Sequence, residues 1–149
     1  EGAVHDINVL DKIPVEPGSY YVMDKGYVDF HRLYSLIHQC RAFYVTRAKE
    51  NLRCEIISSV DPDQSTGIIS DQIVRSTGYK SSKSYPEAFR LVVYEDYASG
   101  VVYKFITNDF NLPALTIAEL YRERWKIELF FYGKHIVMQS YHSQLSEAA

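Results

Sequence analysis

Between Ser19 and Thr46 the chain reads as a strand, a helix and a second strand in tight succession, and no other feature restricts the possible folds as much. Ser19 to Met23 is a short aromatic and β-branched run with strand character, and Asp24 stands where it stops. A Lys-Gly-Tyr turn follows; Phe30, Leu33, Tyr34, Ile37 and Cys40 then repeat at helical spacing, and Ala42 to Thr46 reads as a strand again. A crossover of this kind implies parallel pairing and a right-handed connection. Asp24 then lies at the carboxyl end of a sheet strand, where open α/β sheets place their ligands. The competing reading of Asp24 is a cap on the helix that follows.

The second constraint is the stretch LPALTIAELYRERWKIELFFY, with Pro113 upstream and Thr116 to Glu119 forming a capping-box pattern. At about 100° per residue, Ile117, Leu120, Tyr121, Trp125, Ile127, Leu129, Phe131 and Tyr132 share one broad arc. Glu119, Arg122, Glu123 and Lys126 fall opposite, as a solvated face. Arg124 and Glu128 sit one turn apart in the middle of the apolar arc, where an unpaired charge costs several kcal/mol, of order 3–5. They are either a structural ion pair or bound to something.

Between Ala48 and Pro113 helical periodicity vanishes. Cys54 to Ser58, Ile68 to Arg75, Phe89 to Glu95 and Val101 to Thr107 read as strands, with Tyr97 to Gly100 as the turn of a hairpin. The stretch GYKSSKSYPEAFR mixes Tyr79, Lys80, Lys83 and Tyr85, which can hold phosphates and stack bases, but it reads first as a solvated linker. Arg47, at the end of a strand and on the same sheet edge as Asp24, is placed to reach a phosphate or to pair with a local acid.

At 149 residues and 46% hydrophobic content the chain supports one domain with a real core. It has no apolar run of membrane length and no signal-peptide pattern, so no membrane partner is expected. Cys40 and Cys54 have no metal-type spacing and read as reduced thiols of a cytoplasmic protein. A net charge of −3 argues mildly against nucleic-acid binding. The charge is uneven, however: Arg41, Arg47, Lys49 and Arg53 cluster, as do Arg75, Lys80, Lys83 and Arg90, while Glu55, Asp61, Asp63 and Asp71 gather elsewhere. A chain opening on Glu1 inside an α/β pattern reads as the middle of a gene product, and Gly133 weakens the helical pattern of the tail.

The order DKGYVDF, FYVTRAKENL, a long β-rich segment, then TNDFNLPALTIAELYRERWKIELFF resembles bacterial insertion-sequence DDE transposases of the YREK-signature group, the insertion sequence type 4 family. That signature is Tyr, two residues, Arg, three residues, Glu, six residues, Lys. Tyr121, Arg124 and Glu128 match its first three members; the fourth position holds His135, with Lys134 one residue early. The resemblance covers roughly residues 1 to 131. It implies a ribonuclease H-like α/β core, partial because its first strands are missing, with residues 49–112 as a β-rich insertion and residues 1–149 forming one partial catalytic domain.

By the same resemblance Asp24 and Glu128 are the second and third catalytic acids and the ligands of two Mg2+ ions, with Mn2+ as a substitute. Tyr121, Arg124, Arg47 and Lys134 are the expected DNA contacts. The first acid lies upstream; Asp6 and Asp11 end no convincing strand. The implied activity is DNA transposition in the bacterial cytoplasm, by metal-dependent cleavage and strand transfer at transposon ends. The partners are double-stranded DNA, both terminal repeats and target, and further copies of the protein in a synaptic complex. A truncated, non-catalytic DNA-end-binding or inhibitory derivative is the alternative, and a plain structural domain in which Arg124 and Glu128 form a core pair is a third.

Overall fold

The computed structural model of the chain describes residues 15–23 and 29–130, with side chains through Glu123 along the last helix. Strand β1 (Tyr20–Met23) leads, across the undescribed residues 24–28, to a helix that starts as α1 (Phe30–Arg32) and continues as a π-helical stretch (Leu33–His38). Then follow β2 (Phe43–Arg47), β3 (Cys54–Val60), a 3₁₀ turn (Gln64–Thr66), β4 (Ile68–Ser76), α2 (Tyr79–Ser84), β5 (Phe89–Glu95), β6 (Val102–Thr107) and α3 (Ala114–Phe130). None of the described helices is long and apolar enough to cross a membrane.

All six strands join one sheet in the order β1-β2-β6-β5-β4-β3. β1 and β2 are parallel, in register Tyr20 to Phe43 through Met23 to Thr46, as the strand–helix–strand pattern requires. The other pairings are antiparallel, and β6 inserts between β2 and β5. The strands of the 49–112 segment therefore extend the β1–β2 sheet.

Alternation along β1 fixes the layers. Tyr20 and Val22 face α3 and pack with Val45, Val92, Phe105, Ile117, Ala118, Leu120 and Tyr121. Tyr21 and Met23 face the other way, into a cluster with Leu33, Ile37, Tyr44, Tyr85, Phe89 and Ile106. Fully burying side chains such as Ile117 or Leu33 contributes about 1.5–3 kcal/mol each. On α3 the expected arc holds as far as it is described: Ile117, Leu120 and Tyr121 are buried while Glu119, Arg122 and Glu123 are exposed.

Three local expectations are corrected. The last helix begins at Ala114, not at Thr116, since the Ile117 N–H already donates to the Pro113 carbonyl at 3.2 Å. Just upstream Asp109 fixes the turn that leads into the helix, accepting the N–H groups of Asn111 and Leu112 at 2.8 and 2.9 Å. The helix after β1 closes with bonds five residues apart, Gln39 N–H to Tyr34 and Ala42 N–H to Ile37, and the wider turn leaves Cys40 exposed off the core face. The GYKSSKSYPEAFR stretch is not a linker: it forms α2, and Tyr85 is wholly buried in an aromatic cluster, bonded hydroxyl to hydroxyl with Tyr44 at 2.9 Å. Burial raises the pKa of both phenols above the ordinary tyrosine value.

Candidate functional site

β1 is described as far as Met23, which is fully buried and paired with Thr46 at the carboxyl edge of the sheet, and Asp24 is the next residue in the sequence. Asp24 itself lies outside the described residues. Its competing role as the cap of the next helix is filled by Asp29, whose carboxylate accepts the Arg32 N–H at 2.9 Å and also binds the Arg32 guanidinium at 2.9 Å. Two residues of one strand–helix junction cannot both be that N-cap.

The base of α3 is anchored at the opposite edge of the sheet, by a buried polar cluster. Arg90, 6% exposed on the α3 side of β5, binds Asp71 through two bonds of 2.8 Å and donates to the carbonyls of Asp109 and Leu112 at 3.2 and 2.6 Å. The Tyr20 hydroxyl donates to the Asp109 carboxylate, and burial with that neighbour pushes the Tyr20 phenol far above its ordinary pKa. Asn108 accepts the Tyr44 N–H at 2.9 Å and donates to the Ala42 carbonyl at 2.9 Å. Arg90 and Asp71 had been read as members of separate basic and acidic clusters; they are partners, and Arg90 is not available to a ligand.

From this anchor α3 runs in the same direction as β1, β2 and β5. It starts beside Tyr20 and Arg90, at the amino ends of those strands, and by Arg122 it has reached Tyr94, near the carboxyl end of β5, at 3.4 Å. Its backbone continues through Glu128 to Phe130. The strand end that precedes Asp24 and the distal part of α3 thus lie toward one end of the sheet.

There the structure brings together two of the residues expected from sequence. The Arg47 guanidinium lies 5.6 Å from the centre of the Tyr103 ring, and Tyr103 in turn lies 6.2 Å from Tyr121. Tyr121 also packs on Phe105 at 4.8 Å and is 1% exposed, which makes it part of the core in this structure. Tyr103 escaped sequence reasoning; its signal was the alternation Tyr103, Phe105, Thr107 on β6. The side chains of Arg124 and Glu128, and all of Lys134, lie outside the described residues. Among the described residues no three His, Cys, Asp or Glu side chains group closely enough to hold a metal ion. The carboxylates expected to do so, Asp24 and Glu128, are the two not described, and as hard oxygen donors their chemistry suits Mg2+.

On the opposite face, beside the same end of β2, a cleft of about 420 Å3 carries Arg47, Lys49, Arg53 and Lys80 in its lining.

Residues 1–134 match the family described as "Transposase DDE domain". Over 144 residues the chain is 33% identical to a Sinorhizobium fredii (strain NBRC 101917 / NGR234) protein described as "Putative transposase y4zB", covering 93% of this chain and 40% of that protein. Over 111 residues it is 32% identical to a Geobacillus stearothermophilus protein described as "Probable transposase for insertion sequence element IS5377", covering 74% of this chain and 29% of that protein. The chain therefore spans less than half the length of either relative. No solved structure matches it significantly.

Proposed function

The chain belongs to the family of transposase DDE domains, and on that premise we propose that it forms part of the catalytic domain of an insertion-sequence transposase of the YREK-signature group. Its reaction is phosphodiester cleavage at transposon ends followed by joining of the freed 3′ ends to target DNA. One observation carries the reading beyond the family: α3 is anchored at the amino ends of β1 and β2 and runs with them, toward the edge where β1 gives way to Asp24. A strand and a helix that finish at the same end of a sheet suit a site built from one acid on each. The parallel β1–β2 pair with α3 over it supports a ribonuclease H-like core, and the strands of residues 49–112 act as a β-rich insertion that prolongs its sheet.

In this reading Asp24 and Glu128 are the residues that would hold a pair of divalent cations, magnesium or manganese, and those cations would supply charge neutralisation at a phosphate and an acidified water. Arg124, one turn before Glu128, directs its fork at a phosphate oxygen pair. Arg47, held at the same end of the sheet against Tyr103, neutralises a neighbouring phosphate, and Lys134 adds a further positive charge. Tyr121 keeps its place in the signature by seating α3 on Phe105 and Tyr103, which sets the rotation of the helix on which Arg124 and Glu128 stand. Copies of the protein pair on DNA in the bacterial cytoplasm to bring two transposon ends together.

The test is cleavage of labelled transposon-end DNA by the protein that carries this chain, with Mg2+ or Mn2+. Asp24→Asn and Glu128→Gln are each expected to abolish nicking while DNA affinity stays within a few-fold of the parent. Metal-dependent cutting retained by either variant would overturn the assignment.

A further inference from the structure

The cleft on the α1 and α2 side of the sheet is set apart by its charge. Lys49 and Arg53 come from the β2–β3 connection and Lys80 from α2, and all three are exposed, while no described carboxylate lines the cleft. The chain as a whole carries a net charge of −3, so a composition-driven surface would not concentrate cations here. The two basic stretches meet because backbone bonds bring them together. The Leu52 N–H donates to the Lys49 carbonyl at 3.1 Å, and the Thr77 N–H donates to the Arg53 carbonyl at 3.0 Å. Ser81 on α2 is tied to Ser76 on β4 by a 2.6 Å hydroxyl bond. Arg47 also lines the cleft but turns its guanidinium to Tyr103.

A second observation places the cleft. Thr46 lines it from β2 and is itself buried. Thr46 shares its strand face with Tyr44 and pairs with Met23, the residue before Asp24, so the cleft adjoins the strand end of the proposed catalytic site. Three cations lining one cleft with no carboxylate among its described lining residues repel one another, and a polyanion relieves that repulsion.

We propose that this cleft is a second nucleic-acid contact, on the face of the sheet opposite the Tyr103–Tyr121 row, in which Lys49, Arg53 and Lys80 hold backbone phosphates of a DNA strand. The inference rests on the transposase reading for the identity of the polyanion. Its geometry places the strand on the face of the sheet away from α3, so DNA is gripped on both faces around one sheet edge.

The experiment is fluorescence anisotropy of the protein with a labelled oligonucleotide, single-stranded and as duplex, in EDTA over a salt series, with thermal melts alongside. Lys49→Ala, Arg53→Ala and Lys80→Ala should each flatten the slope of log affinity against log salt, by about 0.9 for duplex or about 0.7 for a single strand. The arm with the larger loss identifies the form of DNA in the cleft. Lys83→Ala, whose ammonium is bonded to the Tyr79 hydroxyl at 2.9 Å outside the cleft lining, should leave the slope unchanged. A triple variant that melts normally and binds both forms with the parental slope overturns the proposal. Binding lost in the triple variant but kept in Asp24→Asn supports the cleft even if cleavage of transposon ends is never observed, so the two readings fail separately.

Discussion

Removing the Arg90 guanidinium should unfold the protein at a markedly lower temperature, although Arg90 touches nothing in the proposed catalytic site. The side chains of Arg90 and Asp71 are only 7% and 14% exposed, and the pair is doubly bonded at 2.8 Å. Truncation to alanine leaves the Asp71 carboxylate buried without its counter-charge, a loss of about 3–5 kcal/mol in such settings. It also takes a donor from the carbonyls of Asp109 and Leu112, in the turn that launches α3. For a chain of this size about 2–4 °C of melting temperature accompany each kcal/mol, so Arg90→Ala should melt roughly 6–20 °C below the parent. Circular dichroism melts at neutral pH measure this directly. The double variant Arg90→Leu with Asp71→Leu should recover much of the loss, since a buried pair replaced by packed apolar groups is often neutral or stabilising. A drop below about 2 °C for Arg90→Ala would refute the argument, and so would a double variant no better than the single one.

Gly67→Ala should destabilise by about 1–3 kcal/mol, because Gly67 has φ +94° and an added Cβ would stand 2.6 Å from the Glu95 carbonyl oxygen; chemical denaturation at fixed temperature reads it, and an unchanged midpoint would refute it. Glu87 is the subject of a pH prediction. Hydrogen bonds from Tyr34, at 2.9 Å, and from His38, at 3.2 Å, hold its pKa below the ordinary 4.5. A depressed carboxyl contributes stability that is present above its unfolded pKa and lost as pH falls through the folded value. The melting-temperature gap between parent and Glu87→Gln should therefore be widest above about pH 5 and close in acid below the ordinary carboxyl range; a gap constant with pH would contradict the assignment.

Where a segment's own pattern decides its structure, the sequence was a good guide. Phe89–Glu95 was legible to the residue because it is a short run of apolar, β-branched and aromatic side chains, and Tyr97 to Gly100 ends in a glycine at φ +76° that suits a turn. The pairing partners were not legible, since nothing in the local pattern of β6 says that it enters between β2 and β5. Tyr85 looked like a loop aromatic because the residues around it are polar, and only the tertiary aromatic cluster reveals it as core. The same limit hid the Arg90–Asp71 pair, which joins adjacent strands 19 residues apart. For the site, the position of Asp24 after β1 could be read from strand logic and Arg124 and Glu128 from helical periodicity, but their joint role came from the spacing shared with a family. Lys80 stood out in the sequence only as one of several basic residues in a mixed stretch, because what distinguishes it from Lys83 is the cleft it shares with Lys49 and Arg53.

The place of β6 in the sheet also sets a schedule. β2 can pair on its inner side only with a strand whose partner residue, Ile106 opposite Thr46, is sixty positions later in the chain. During synthesis at about 5–20 residues per second, β1 and β2 wait roughly 3–12 s before that strand exists. Contacts this distant also fold slowly once the chain is complete. Until then the ribbon leading to Asp24 is half-assembled, and the helix bearing Glu128 has not yet been made. On the proposed function, a nascent protein of this kind would stay inert toward the DNA of its own cell until nearly all of this stretch has left the ribosome.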